Sequence, residues 1–284
     1  MEVSFIVLNY KSREYLETCI VSIFKKVINF EFEIIVVNND EKKIKLENSY
    51  RNMENIRMLE INKNIGFAKA NNRGAKISTG KYICFINPDA SIVSDNIQDI
   101  INEFESDVSV GVIGPKILKE GEIQRWSVGA DLSVAEILKG KAGLARSNKF
   151  WNSLKKIKVD WVSGVSMFIK REDFMKVGGF DENFFLYYED VDLCKRIKKL
   201  NKKVIYFPSF EVNHLEGKSS NKKYEQKLQY FKAQDYYYKK WFGWGSCYLL
   251  KSIRFFYLLR YRILKVSDIF FSGKSKKYPK NNNS

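Results

Sequence analysis

The chain has one histidine, four prolines and four cysteines in 284 residues, and each scarcity removes a class of protein. Cys19, Cys84, Cys194 and Cys247 stand singly, without C-x-x-C spacing, which argues against a zinc site and for a reducing compartment. No G-x-G-x-x-G follows the first strand-like run, which leads into Asn9-Tyr10-Lys11-Ser12, so a dinucleotide-binding dehydrogenase is disfavoured. Met1–Leu8 carries no basic n-region and no small-residue cleavage site, so no secretory leader is expected and the chain reads as cytoplasmic. Acids are absent between Asp235 and Asp268, while five charges across 248–265 argue against a membrane-spanning helix there.

What is present describes a folded body with a basic end. Hydrophobic residues make up 45% and aromatics 15% of the sequence, well outside the range of disordered chains. Residues 195–284 carry 22 Lys/Arg against 5 Asp/Glu, whereas the first 194 residues carry 27 against 28. A nearly neutral body with a basic tail points to an anionic surface as partner.

The first half alternates apolar runs with amphipathic stretches. Val3–Leu8, Glu33–Val37, Ile56–Ile61 and Tyr82–Ile86 read as buried strands, and 13–26, 42–53 and 67–78 have helical spacing. That alternation predicts βαβ units and a mainly parallel, Rossmann-like sheet with flanking helices. Further strands are expected at 110–118, 159–169 and Lys203–Phe207, the last ended by Pro208. Helices are expected at 189–200 and 223–242, and 129–156 reads as a mobile loop or short helical insertion. Open α/β sheets bind ligands beyond their C-terminal strand ends, and here those ends are polar: Asn9–Lys11, Asn38–Asp40, Asn62–Gly66 and Asn87–Asp89.

Two acidic segments carry the chemistry. One is Phe85-Ile86-Asn87-Pro88-Asp89; the other is Gly178-Gly179-Phe180-Asp181-Glu182, continuing to Glu189-Asp190-Val191-Asp192. With 3–10, 33–39, Asn64–Gly74, Trp161–Gly164 and Asn213–Ser219, these ordered motifs resemble family-2 glycosyltransferases of the GT-A fold, in particular the rhamnosyltransferase-like branch. The resemblance covers about residues 1–240. It implies inverting transfer of a sugar from a nucleoside diphosphate, of dTDP or UDP type, to a glycan or lipid-linked acceptor in cell-surface polysaccharide synthesis. Asn87-Pro88-Asp89 stands at the family's D-x-D position, so Asp89 is implied as a ligand of Mg²⁺ or Mn²⁺, with His214 as the second. Asp89 as a helix cap after Pro88, and His214 as a structural histidine, are the plainer readings.

By motif position Asp190 is the general base and Glu189 binds the acceptor or orients that base. Trp161 and Gly164 are implied on the acceptor side. Leu8, Tyr10, Asn38, Asp40, Asn64, Gly66, Phe67, Asn72 and Asn87 are implied around the nucleotide. The family's base-reading Asp is Asn38 here, leaving Asn38 or Asp40 for that role. Asp192 reads as a helix-dipole acid and Asp181 as a turn residue.

Three regions are expected: a GT-A domain over 1–222, divided into a nucleotide half (1–89) and an acceptor half (90–222); a basic helical appendage over 223–271; and a disordered tail over 272–284. An aromatic, basic helix around 241–265 fits peripheral association with the inner membrane face, or else packing against the core or in a homodimer. No nucleic-acid partner is expected. The competing classes are a metal-dependent nucleotidyltransferase, a catalytically inactive sugar-nucleotide binder, and a basic nucleic-acid- or membrane-binding module.

Overall fold

In the computed structural model, which describes residues 1–46, 53–141, 147–215 and 223–272, three of the apolar runs become inner strands of one large sheet, whereas the run from Ile56, expected to be buried, forms its half-exposed edge strand. Strands β1 (Val3–Asn9), β2 (Phe32–Asn38), β3 (Ile56–Glu60) and β4 (Tyr82–Ile86) are mutually parallel, in the order β3-β2-β1-β4. β1 is buried at every position, as a central strand covered on both faces must be. Helix α1 (Arg13–Lys26) buries Leu16, Cys19, Ile20 and Ile23, one stripe at helical spacing. Helix α2 (Phe67–Ile77) comes closer still, since a Cβ on Gly74 would lie 2.8 Å from the side chains of Ile6 and Val37.

The second half adds β5 (Ala90–Ile92), α3 (Ile97–Ser106), β6 (Val110–Lys119), β7 (Glu122–Ile123), β8 (Val128–Gly129), α4 (Val134–Lys141) and α5 (Asn148–Trp151). It continues through β9 (Ile157–Val159), β10 (Trp161–Val162), β11 (Ser166–Lys170), α6 (Arg171–Lys176), α7 (Glu189–Lys199) and β12 (Lys203–His214). β11 enters antiparallel between β4 and β6, and β12 runs parallel to β6 and antiparallel to β5. β8 and β10 pair separately as a two-stranded ribbon. The stretch expected as one strand at 159–169 is therefore three pieces. Ser163-Gly164-Val165 leaves the ladder between two of them, which frees Gly164 N–H for a side chain.

Two expectations are corrected. Pro208 does not end its strand: β12 continues to His214, with a register shift between Phe207 and Glu211. The irregularity accommodates a residue without an N–H, and the strand then carries His214 to the sheet edge. Residues 42–46 are not helical, and the rest of the helix expected over 42–53 lies, through residue 52, outside the described residues. The insertion at 129–156 contains the short helices α4 and α5, with 142–146 outside the described residues. The tail from 273 onward and the Glu216–Ser219 part of the C-terminal motif also lie outside them.

Residues 1–234 form one compact unit and 235–284 a second. The last helix, α8 (Lys223–Ser272), is interrupted at Gly243, whose φ of 78° is open to glycine. Within the second unit, Arg254 donates to Asp235 at 2.7 Å and Lys251 lies 3.6 Å from the same carboxylate. Among the described residues no helix is long and apolar enough to cross a membrane.

Candidate active site

Two consecutive tyrosines set the start of α7. Tyr187 and Tyr188 both hold left-handed backbone, φ 73° and 68°, a conformation costing β-carbon residues on the order of 1–3 kcal/mol each. Tyr188 is held there from the first turns of α8: its hydroxyl lies 3.1 Å from the Tyr230 hydroxyl and accepts from the Gln234 amide at 3.1 Å. The Tyr230 ring also packs on both tyrosines, with centroids 5.8 and 5.4 Å away. The helix therefore begins abruptly, with Glu189, Asp190 and Asp192 in its first turn, where the helix dipole favours acids.

These acids differ in their surroundings. Asp190, partly open to solvent, accepts from Gly164 N–H at 2.9 Å on one oxygen and from Val191 N–H at 2.8 Å on the other. Burial raises its pKa, and those N–H groups offset the rise only in part. Glu189 is 5% exposed, and its Oε2 is buried without a hydrogen-bond partner. Burial, then the charges of Asp190 and Asp192, push its pKa well above the ordinary carboxylate range. Asp192 is fully buried against Arg196, at 2.7 Å, which in turn donates to the carbonyls of Val177 and Gly179. Asp192 thus braces the Gly178-Gly179 turn, and Asp181 caps its own turn through Asn183 N–H at 3.0 Å.

The second acidic site lies just across the same turn. Val165 C=O accepts from Asn87 N–H at 2.9 Å, so the residue after Gly164 is tied to the Asn87-Pro88-Asp89 segment. The chain then enters β5, not a helix, so Asp89 is not a helix cap. β5 pairs with the end of β12, setting Ala90 opposite His214. Asp89 and His214 are each 7% exposed, with His214 Nε2 3.3 Å from Asp89 Oδ1. Gln124 Oε1 lies 2.8 Å from His214 Nδ1.

In the tautomer that carries the ring proton on Nδ1, Gln124 accepts it and the Nε2 lone pair faces the carboxylate. A cation between the two would relieve that opposition, and a carbonyl fixing the far ring nitrogen is the usual support of a metal-binding imidazole. Among the described residues there is no cluster of three or more His, Cys, Asp and Glu able to hold a metal. The pair alone fits a cation that takes its remaining ligands from water and phosphate, as Mg²⁺ commonly does.

The strand ends β1 and β2 and the entry to α2 form a third cluster. Asn39 is the hub: its amide donates to Asn64 Oδ1 at 3.0 Å, and its carbonyl accepts from Ile65 N–H at 2.9 Å. Gly66, at φ 90°, has no room for a Cβ, which would lie 2.7 Å from Phe185 C=O. That carbonyl accepts from Phe67 N–H at 2.7 Å, joining this loop to the segment that leads into Tyr187.

Comparison with known proteins accords with this arrangement. The family described as "Glycosyl transferase family 2" matches residues 4–177, well over half of the chain. The chain belongs to glycosyl transferase family 2. A second family, "N-terminal domain of galactosyltransferase", matches residues 152–218. Rhamnosyltransferase WbbL of Escherichia coli is 29% identical over 140 residues, covering 47% of this chain and 52% of that protein. The low-salt glycan biosynthesis hexosyltransferase Agl10 of Haloferax volcanii is 23% identical over 70% of this chain and 62% of its own length. An N-acetylglucosaminyl-diphospho-decaprenol L-rhamnosyltransferase of Mycobacterium tuberculosis is 44% identical over 64 residues, 22% of this chain and 21% of that one. The matches thus span from a fifth to under two thirds of these relatives.

In fold, the chain is similar to GalNAc-T7 solved with UDP, GalNAc and Mn²⁺, with a TM-score of 0.58 at 14% identity over 75% of this chain and 43% of that one. It is also similar to S. aureus TarS 1-349 with UDP-GlcNAc, at 0.54 and 16% identity over 83% and 65%. The fold is GT-A.

Within this family-2 chain, the expected residues divide by their contacts. Asp190, Glu189 and Gly164 come together, as do Asp89 and His214, and Asn64, Gly66 and Phe67 form one turn. Asn87 places its backbone against Val165, and Tyr10 lies just past the C-terminal end of β1, with the Lys11 ammonium 5.2 Å from its ring. Leu8 is buried in β1.

Four residues make contacts of their own within the protein. Asn38 is fully buried, its amide donating to Lys42 C=O and Glu60 and its carbonyl accepting from Asn9. Asp40, less buried in the same loop, keeps one carboxylate oxygen on Glu41 N–H at 2.7 Å. Asn72 bonds both the N–H and C=O of Phe180 at 2.8 Å and so clamps the glycine turn. Trp161 is 5% exposed, with its indole N–H on Ala130 C=O at 2.9 Å, so it packs inside.

Gln124, Asn39, Tyr230 and Gln234 were not expected. Gln124 reaches His214 only because the β6–β7 hairpin folds back, and no local pattern marks it. Asn39 did lie within a polar strand end, a signal overshadowed by Asn38 beside it.

Proposed function

We propose that this glycosyltransferase moves a sugar from a nucleoside diphosphate to a saccharide acceptor with inversion at the anomeric carbon. The carrying observation is the short bridge Gly164-Val165, which binds the Asp190 carboxylate on one side and the Asp89 segment on the other. In this reading the acceptor hydroxyl attacks the anomeric carbon while its proton passes to Asp190. The bond from that carbon to the diphosphate oxygen breaks, and its electron pair leaves with the diphosphate. Burial raises Asp190, which suits it to take a proton, and burial with the neighbouring charge of Asp190 raises Glu189 well above the ordinary carboxylate range. A protonated Glu189 donates a hydrogen bond and holds the acceptor without competing for its proton.

Asp89 and His214 are the residues that would hold Mg²⁺ or Mn²⁺. Bound there, the cation would neutralise charge developing on the leaving diphosphate. The rhamnosyltransferase names of two relatives favour a deoxyhexose donor on dTDP, with UDP as the other candidate, since neighbours of this fold were solved with UDP. They also favour an acceptor sugar on a lipid diphosphate, in glycan assembly at the cytoplasmic membrane face. The basic second unit would hold the enzyme there.

The test is Asp190→Asn. Transfer should fall by a factor of about 10²–10⁴, the usual contribution of a general base. Thermal stabilisation by dTDP or UDP with Mn²⁺ should persist, near 2.7 kcal/mol at about 100 times Kd. A folded variant that keeps transfer would remove Asp190 from the role. A wild type stabilised by neither nucleotide would remove the donor reading.

A further inference from the structure

Between Gln124, which holds His214, and Ser127 lies a tryptophan that folding does not account for. Trp126 is 58% exposed, and it holds left-handed backbone at φ 63°. Exposing a large apolar ring and holding a non-glycine residue at positive φ are both unfavourable for the isolated fold. Strained backbone of this type gathers where a ligand is bound. Its flanks are fixed: Gln124 N–H donates to Ile117 C=O at 2.9 Å, and the carbonyl of buried Ser127 accepts from Ser163 N–H at 2.8 Å. Ser163 precedes Gly164, the residue that binds the base. The tryptophan thus sits on a segment that runs from Gln124, the partner of His214, to Ser127, which is bonded beside the Asp190 turn.

The ring is also backed. Trp151 meets it edge to face with centroids 5.3 Å apart, and is itself buried with its indole N–H on Val128 C=O at 2.8 Å. A rigid wall beneath an exposed aromatic face is a platform. The C–H face of a pyranose, slightly positive, matches the negative face of an aromatic ring. We infer that Trp126 is the stacking platform for the acceptor saccharide, so that the sugar ring lies on the indole while its hydroxyl reaches Asp190. This inference rests on the glycosyl-transfer reading, and it adds the residue that selects a cyclic sugar acceptor.

The chain has five tryptophans, so 5-fluorotryptophan labelling gives five fluorine signals, with Trp126 assigned from Trp126→Phe. The probes are octyl glycosides of N-acetylglucosamine and rhamnose, and N-acetylglucosamine linked through a diphosphate to a short alkyl chain. Each is added to the full chain saturated with dTDP and Mn²⁺. At least one saccharide should shift the Trp126 signal, and Trp126→Ala should weaken that probe's binding about tenfold while Trp126→Phe retains most of it. Trp126→Gly separates contact from strain, because it relieves the backbone: stability should hold or rise while saccharide affinity falls.

A Trp126 signal unmoved by every saccharide, or moved only by lipid vesicles, overturns the proposal, as does Trp126→Ala with wild-type affinity. Thermal stabilisation by the nucleotide does not involve Trp126. Its loss in the wild type would instead count against the underlying transfer reading.

Discussion

Two buried glutamates show how surroundings decide a carboxyl's chemistry. Glu33 is 3% exposed and Glu189 5%. Burial pushes the Glu33 carboxyl up, but Ser4, both groups of Thr79 and Arg57 all donate to it and the net shift is downward. Glu189 has an oxygen with no donor and acidic neighbours, so its shift is strongly upward. The signs for stability are opposite. Glu33 contributes stability above the unfolded value near 4.3, lost as pH falls through its lowered pKa. The Glu189 contribution is full below about 4.3 and is lost as pH rises through its raised pKa.

Glu189→Gln should therefore match the wild type in Tm under acid conditions and exceed it increasingly toward alkaline pH, while transfer falls. Parallel Tm curves across pH would refute the burial of an ionisable Glu189. Asp190 gives a companion expectation. Because the base must be ionised, kcat/KM should rise with pH through a midpoint above the ordinary aspartate value of about 3.9. An acid limb at or below that value would show that its surroundings do not raise it in the working enzyme.

At the scale of elements, the strands and helices were legible and the junctions were not. β1, β2 and β4 are apolar runs with no alternative use, and α1 and α2 follow the helical spacing expected at 13–26 and 67–78, whereas the helix at Ile97–Ser106 was not expected. The two acidic segments were legible for the same reason, since each lies at the end of such an element. Pro208 misled because a proline's missing N–H matters only where the ladder is regular. Asn38 and Trp161 spend their amide and indole on the protein's own carbonyls, contacts that strand-end residues make as readily as they bind a ligand.

The double left-handed turn at Tyr187-Tyr188 has no local signature, since tyrosine disfavours it. It exists because Tyr230 and Gln234, more than forty residues on, hold it. Tyr230→Phe removes one hydroxyl contact and should cost about 0.5–1.5 kcal/mol of stability. If the clamp aims the base, kcat should fall while the donor KM stays near wild type, and the acid limb of the pH profile should move. A Tm loss with unchanged kcat and pH profile would make the clamp structural alone.

The largest feature of the whole molecule is its charge division, near neutral over 1–194 and strongly basic over 195–284. In the second unit Asp235 takes up Arg254 and Lys251, and in the sequence no other acid occurs before Asp268. It also displays Trp244, Tyr248, Leu249 and Phe255, each more than half exposed, with Trp244 and Tyr248 stacked at 5.9 Å. Basic charge attracts an anionic surface over a Debye length of about 8–10 Å, and aromatics then settle at headgroup depth. The two terms separate experimentally because salt screens only the first.

Full-length protein should cosediment with vesicles rich in anionic lipid and much less with zwitterionic ones, and binding should fall steeply as salt is raised. Replacing Trp244, Tyr248 and Phe255 together by alanine should weaken binding at every salt concentration and leave the slope with salt unchanged, because no charge is removed. Binding that is indifferent to both lipid charge and salt would exclude the electrostatic anchor. If the wild type then showed a concentration-dependent mass that the triple variant lacked, the aromatic face would belong to a contact between two copies of the chain.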